Sequence, residues 1–505
     1  TKEVSDTVVY YWLNNEITYN PSSAVAYAPL FAQAARAAHI NGCESRIAKA
    51  VAYLKKVGTE EALMNAWYIM YDDTTQAKQI KNSILKKYPR GLMAMKAKWD
   101  EKIDYGNPDA VKKHFLDFLA DFPYTAAREA YLERFGQSYD NVYTGLMIFN
   151  SVEGNDSNQD MYLDKLSFGG CSNVFYKIID VPHMRKDKTD AQLLPIATKI
   201  VQRMEALKGV RPQGMAYLSE SEWAAQASQS INGYVAETYS EILRGTGNYD
   251  KALEYAKRAQ TVAQYRKSTV NDNMAQLLKA TGDTAALKSL LEKSVFTNQV
   301  SAIQTNMLKG IYTQEHGSDN GFEAYVAKLK NPAEKSAIQK AVEECRRDGI
   351  MPEWSLTDAS GKTVSSKQLK GKVYVLDFWA NWCHPCKASL PGMKAAADHF
   401  KDDKDVEFLF IDTQEYTPNY KEKALAYLKE KGLDLHLVFD ANPQGSKVNN
   451  LLSSQVMKQY TVSGIPMKVV VDAKGNVCFV AIGYKGSPSE LKDEMVEMVE
   501  QAKKK

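Results

Sequence analysis

The chain lacks any long apolar run: its hydrophobic stretches stay well short of the roughly 18 residues that a membrane-crossing helix needs. Cysteine and histidine are scarce, six and seven in 505 residues. Only Cys383 and Cys386 stand close together, with no second Cys-x-x-Cys and no histidine pair beside them. A four-ligand zinc site would be half-built there. The other six histidines are scattered, and no metal site is expected. An excess of one charge is also missing. The 64 Lys and Arg against 61 Asp and Glu leave a net +3, which implies no nucleic-acid partner. Lys503-Lys504-Lys505 is the one basic cluster and reads as a solvated tail. Asp156-Ser-Asn158-Gln-Asp160 copies the first half of a calcium loop. Met161 and Ser167 stand where such a loop needs Gly and Glu, so calcium is not expected either. The sequence opens at Thr1 and not at methionine, so any leader or lipid anchor is expected to have been removed.

What is present is an ordinary globular composition, 44% hydrophobic and 25% charged, in a chain too long for one core. At least two domains are expected. Up to about residue 340, Ala, Leu, Lys and Glu recur at helical spacing, as in Ala24 to Ala38, Glu44 to Lys56 and Glu222 to Leu243. Two echoes run through this region. Lys87-Tyr88-Pro89 returns as Asp121-Phe122-Pro123, 34 residues on. Leu243-Arg-Gly-Thr-Gly247-Asn returns as Leu278-Lys-Ala-Thr-Gly282-Asp, its turn glycine displaced by 35. Helix, turn and helix at that period resemble the tetratricopeptide repeat, with an irregular helical bundle as the alternative. Phe149 to Val181, rich in Gly, Asn, Asp and Ser, reads as a long loop between two helical blocks. A charged helix from Pro332 to Asp348 leads to a boundary at Gly349-Ile-Met-Pro352.

Val373 to Phe378 is an apolar, β-branched strand that breaks into Cys383-His384-Pro385-Cys386, and a helical pattern follows from Lys387 to Phe400. A cysteine at a helix start meets unpaired N–H groups and the positive end of the dipole, which lower a thiol pKa from about 8.5 towards about 7 or below. Cys383 is therefore the expected nucleophile and Cys386, one turn inside, the resolving thiol. Asp377 is an acid inside an apolar strand, costly to bury without a task. His384, if protonated, would stabilise the Cys383 thiolate; Pro385 completes the inter-cysteine pair that tunes the site. Cys43, Cys171, Cys345 and Cys478 fix no pairing by their spacing. Cys478 reads as a buried strand residue, and Cys345 as the most exposed of the four.

Asp377-Phe-Trp-Ala380 and Trp382-Cys-x-x-Cys-Lys387, with Gly464-Ile465-Pro466 downstream, resemble the thioredoxin superfamily. Pro352-Glu-Trp-Ser-Leu-Thr-Asp-Ala-Ser-Gly361 and Leu369-Lys-Gly371 resemble the entry segment of its TlpA/ResA-type branch of extracytoplasmic thiol:disulfide oxidoreductases. The resemblance covers residues 346–505 and implies an α/β thioredoxin-like domain there, after a helical, repeat-like region over 1–345 in one block or two, split near 150–181. It implies Asp377 as the acid beneath the cysteines and Pro466 as a cis-proline that turns Ile465 towards substrate. Trp382, Ile465 and Gly483 would form the rim. The redox group would be the Cys383–Cys386 disulfide itself, with no other cofactor. The partners would be proteins bearing disulfides or thiols and a membrane or soluble electron donor, at the outer side of a bacterial membrane. Two departures stand out. The family's Glu-x-Pro is Ser389-Leu-Pro391, and Phe408 aligns where thioredoxin carries a lysine near the acid, so no cation is expected beside Asp377. The expected function is reduction of protein disulfides, with the helical region recruiting a partner. The alternative makes the helical scaffold the functional part and the redox domain its sensor.

Overall fold

The computed structural model describes residues 5–154 and 158–505; Asn155, Asp156 and Ser157, including the start of the calcium-loop mimic, lie outside them. The chain divides between Val181 and Pro182 into two compact units.

The first unit is helical throughout its described residues. The aromatic-proline echoes both close helices: Tyr88 and Phe122 follow Thr74–Lys87 and Pro108–Asp121, and each donates its N–H back to the carbonyl four residues earlier. The proline that comes next prevents another turn. The loop expected from Phe149 to Val181 is mostly helix instead, over Gln159–Leu163, Phe168–Val174 and a π-helical turn at Phe175–Asp180. Gly170 is there for close approach and not for a bend. A Cβ on it would lie 2.7 Å from the Asp140 carboxylate, which itself accepts from the Ser167 N–H at 2.9 Å.

The second unit begins with more helices and ends in a sheet. The helices Ala236–Gly245, Tyr249–Ala263, Ser268–Ala280 and Thr284–Phe296 run in succession. The echoed glycines, Gly247 and Gly282, sit at φ 78° and 77° in the turns between them, where any side chain would be strained. From Arg346 the chain builds eight strands: β1 (Arg346–Ile350), β2 (Ser355–Asp358), β3 (Thr363–Ser365), β4 (Val373–Trp379), β5 (Val406–Asp412), β6 (Leu437–Phe439), β7 (Met467–Val471) and β8 (Asn476–Ile482). They form one sheet in the order β1-β8-β7-β4-β5-β6-β2-β3. β4, β5 and β6 are parallel; β7 lies antiparallel on the other side of β4.

All seven residues of β4 are buried, which explains its lack of polar alternation. Val373, Val375 and Trp379 face the active-site helix (His384–His399) and the closing helix (Pro488–Ala502). Tyr374, Leu376 and Phe378 face the helix Leu451–Tyr460 and the entry residues Met351 and Trp354. The linker helix (Pro332–Glu344) joins the first of these layers, adding Ile338 and Val342 to the core.

Candidate active site

β4 ends at Trp379, and four residues later Cys383 caps the active-site helix. Its Sγ accepts the N–H of Cys386 at 3.2 Å, the contact by which a sulfur at this position meets the helix's free donors. The two sulfurs are bonded to each other as a disulfide. Cys383 retains 3% exposure and Cys386 none, so attack from outside can reach only the first. Pro385 sits in the first helical turn, where its missing N–H costs nothing. Pro385 and His384 are both exposed. Ser389, in place of the expected acid, is buried and donates to the Cys386 carbonyl at 2.8 Å.

The loop Gly464-Ile465-Pro466 arrives from the far side. The Ile465–Pro466 bond is cis, and the Ile465 carbonyl oxygen lies 3.7 Å from Cys383 Sγ. Gly483, at φ 85°, donates its N–H to the Pro466 carbonyl at 2.8 Å, so Ile465, Pro466 and Gly483 are brought together beside the disulfide. Trp382 is 47% exposed. Its Nε1 donates to the Gln414 carbonyl at 2.9 Å, and its ring lies 6.2 Å from that of Tyr416.

Asp377 lies between Val375 and Trp379 in β4, so strand alternation turns it towards the active-site helix. Neither of its carboxylate oxygens has a hydrogen-bond partner among the described residues. Burial raises its pKa to about 6, against the opposing pull of Lys468. That lysine corrects the expectation drawn from Phe408, which is apolar and packs against Phe400. A cation does stand near Asp377, but it comes from β7. Lys468 is the residue paired directly with Asp377 in the β4–β7 register, is 1% exposed, and donates to the Gly483 carbonyl at 2.9 Å. Burial depresses its pKa, with Asp377 and Glu494 opposing the shift. The one trace in the sequence was a lysine inside the apolar run Met467 to Val471.

A second buried network was also missed. Asn381 donates its backbone N–H to Glu415 and its side-chain amide to Asp412 at 3.3 Å, bracing the turn before Cys383. Asn449 bonds the same two acidic residues, and Thr413 bonds Asp440 at 2.8 Å. Burial, with Glu415 and Asp440 nearby, raises Asp412 to about 8. Its traces were acids at the ends of apolar strands. Of the four remaining cysteines, Cys43, Cys171 and Cys478 are buried and Cys345 is partly exposed, and burial pushes the Cys345 and Cys478 thiols up.

The AhpC/TSA family matches residues 349–480. The thiol-disulfide oxidoreductase ResA of Bacillus subtilis is 30% identical over 151 residues, which cover 29% of this chain and 74% of that protein. The chain belongs to the ResA family of thiol-disulfide oxidoreductases. The thioredoxin-like protein YneN of Bacillus subtilis is 24% identical over 132 residues, 26% of this chain and 69% of that protein. A solved thiol:disulfide interchange protein from Chlorobium tepidum is 28% identical and covers 30% of this chain and 97% of its own, with a TM-score of 0.25. The matched family segment begins at residue 349, so the helices before residue 345 lie outside it. Among the described residues no helix is long and apolar enough to cross a membrane.

Proposed function

We propose that this protein reduces disulfides in other proteins, outside the cytoplasm, and that the tetratricopeptide-like helices over residues 1–345 recruit the partner. The observation that carries the reading is the order of burial at the disulfide: Cys383, the helix cap, keeps 3% exposure, and Cys386 keeps none. In the reduced protein the Cys383 thiolate attacks a substrate sulfur and forms a mixed disulfide, and the first substrate sulfur leaves as a thiolate. Cys386 then gives its proton to Asp377 and attacks Cys383 Sγ. The Cys383–Cys386 bond forms, the mixed disulfide breaks, and the second substrate thiolate leaves to take up a proton. Two electrons have passed to the substrate. A carboxyl with a pKa of about 6 is mostly ionised at neutral pH and able to take that proton.

Substrate is held by the rim. An extended segment pairs with the backbone of Ile465, which Pro466 leaves without a competing donor, and lies between Trp382 and Gly483. His384 and Pro385 tune the pair from the solvent side. A separate donor protein, membrane-bound or soluble, returns the electrons. The thioredoxin-like domain is taken as 346–505, with the linker helix contributing to its core.

The test is a trap. Cys386→Ala should leave Cys383 in mixed disulfides with many unrelated proteins that carry disulfides. An absence of adducts, or adducts formed through another cysteine, overturns the assignment. A single dedicated adduct favours the scaffold reading instead.

A further inference from the structure

The turn after β8, Gly483 to Ser487, is gripped at both ends, and the two grips belong to different parts of the second unit. At its start the Gly483 carbonyl accepts from the buried ammonium of Lys468. At its end the Gly486 carbonyl accepts from the hydroxyl of Ser268 at 2.6 Å, the first residue of the helix Ser268–Ala280. Beyond it, Ser487 and Ser489 both donate to the Asn298 carbonyl, at 2.7 and 2.9 Å, and the Val300 N–H donates to Ser489 Oγ at 3.0 Å. Asn298 is in the left-handed region at φ 52°, and its side-chain amide donates to Asp493, which also pairs with Lys330 at 2.9 Å. Ser268, Asn298 and Ser487 are all buried. Bonds made away from water are costly to leave unmade.

We infer that Ser268 and the Asn298–Val300 segment are positioning residues for the exchange reaction: by holding the Gly483–Ser487 turn they hold the Lys468 ammonium at its distance from Asp377. The inference rests on the reading of Asp377 as proton acceptor. The charged groups that face Lys468 are Asp377 and Glu494, and the charge that faces Asp377 is Lys468. Glu494 already accepts from Lys485 at 2.6 Å, so Lys468 has two places to go, the Gly483 carbonyl that it now bonds or the Asp377 carboxylate, which has no hydrogen-bond partner among the described residues. Were the turn to slip, the ammonium would move towards the carboxylate. In a dry interior that approach strongly favours the charged acid, and its proton affinity would fall. A force on the helix that opens at Ser268, or on the Asn298–Val300 segment, would then reach the proton acceptor without touching either thiol.

The experiment uses the full chain, reduced, mixed with an aromatic disulfide whose leaving thiolate absorbs light. The first equivalent released reports attack by Cys383 and the second reports displacement by Cys386. The second phase is followed against pH in the wild type, in Ser268→Ala/Ser489→Ala, in Ser268→Thr, and in Lys468→Met with and without the two alanines. The doubly substituted protein should shift the midpoint of the rising limb down by about half a pH unit or more. Ser268→Thr, which keeps the hydroxyl, should retain the wild-type midpoint. In the Lys468→Met background the two alanines should move it no further. A midpoint unmoved by the alanines, or moved equally without Lys468, overturns the inference while leaving Asp377 its role. A wild type with no rising limb overturns the proton-acceptor reading, and this inference with it. Should the double variant fail to fold, Ser268→Ala alone must shift the midpoint in the same direction, and an unmoved midpoint there is equally decisive against it.

Discussion

Two buried charge clusters in the second unit are built on opposite plans. In its helical part, His183 is pinned between carboxylates, Nδ1 at 2.9 Å from Asp190 and Nε2 at 2.9 Å from Glu241. Arg258 likewise bonds both Glu205 and Asn232. In the sheet, neither Asp377 oxygen has a hydrogen-bond partner among the described residues, and Lys468 donates to a backbone carbonyl. Groups that only hold the fold are satisfied, because an unpaired buried charge costs more than most packing gains return. The unsatisfied carboxyl stands under the one pair of cysteines able to exchange, and its raised pKa is what a proton acceptor needs.

The comparison breaks most sharply at the thiols. Cys383→Ser should abolish exchange, and Cys386→Ser should leave a stable mixed disulfide, read by mass spectrometry after mixing with a disulfide peptide. Asp377→Asn should slow resolution by about 10- to 100-fold, the lower part of the range for a lost general base. The same substitution changes stability with a definite sign. The folded carboxyl holds its proton up to about pH 6 and the unfolded one only to about 3.8, so wild-type stability falls as pH rises through that window. The loss is up to about 3 kcal/mol, less whatever Lys468 returns. Chemical denaturation at pH 4 and pH 7 should show that slope in the wild type and a flatter one in Asp377→Asn.

A fragment beginning at residue 331 should be more stable than one beginning at 346. The shorter piece loses Ile338 and Val342 from its core, a burial worth roughly 3 kcal/mol or more. Urea midpoints of the two fragments decide it, and equal midpoints would place the linker helix outside the fold. The smallest effect is expected at the satisfied cluster. His183→Gln strands Asp190 and Glu241 and should cost about 1–3 kcal/mol, with exchange rates unchanged. Burial lowers the His183 pKa, but the bond and charge of Glu241, with Asp190, more than offset it and leave it raised. Its stabilisation is therefore full below pH 6.5 and lost as pH rises through the higher folded value. The gap between wild type and variant should shrink on the alkaline side.

The elements legible in the sequence were those whose signal is local. β4 showed as an apolar run interrupted only by Asp377, the cysteine pair as a strand breaking into a helix, and the Ile465–Pro466 loop as a short motif. The echoed glycines Gly247 and Gly282 marked real turns because a left-handed turn demands glycine at one position. What stayed hidden depended on partners distant in sequence. Lys468 meets Asp377 only through strand register, and β4, buried on both faces, offers no alternation from which to infer it. Gly170 looked like a loop residue because composition cannot tell a glycine that bends from one that admits a neighbouring carboxylate. The bonds from Ser268 and Asn298 to the rim turn join segments some two hundred residues apart, and nothing in either segment announces the other.

The most direct test of the central claim is the pH dependence of the resolving step alone, measured as the second release from a chromogenic disulfide. If Asp377 takes the proton from Cys386, the wild-type rate should rise through about pH 6 and level off, and Asp377→Asn should show no such limb. The same rising limb in both proteins would contradict the account.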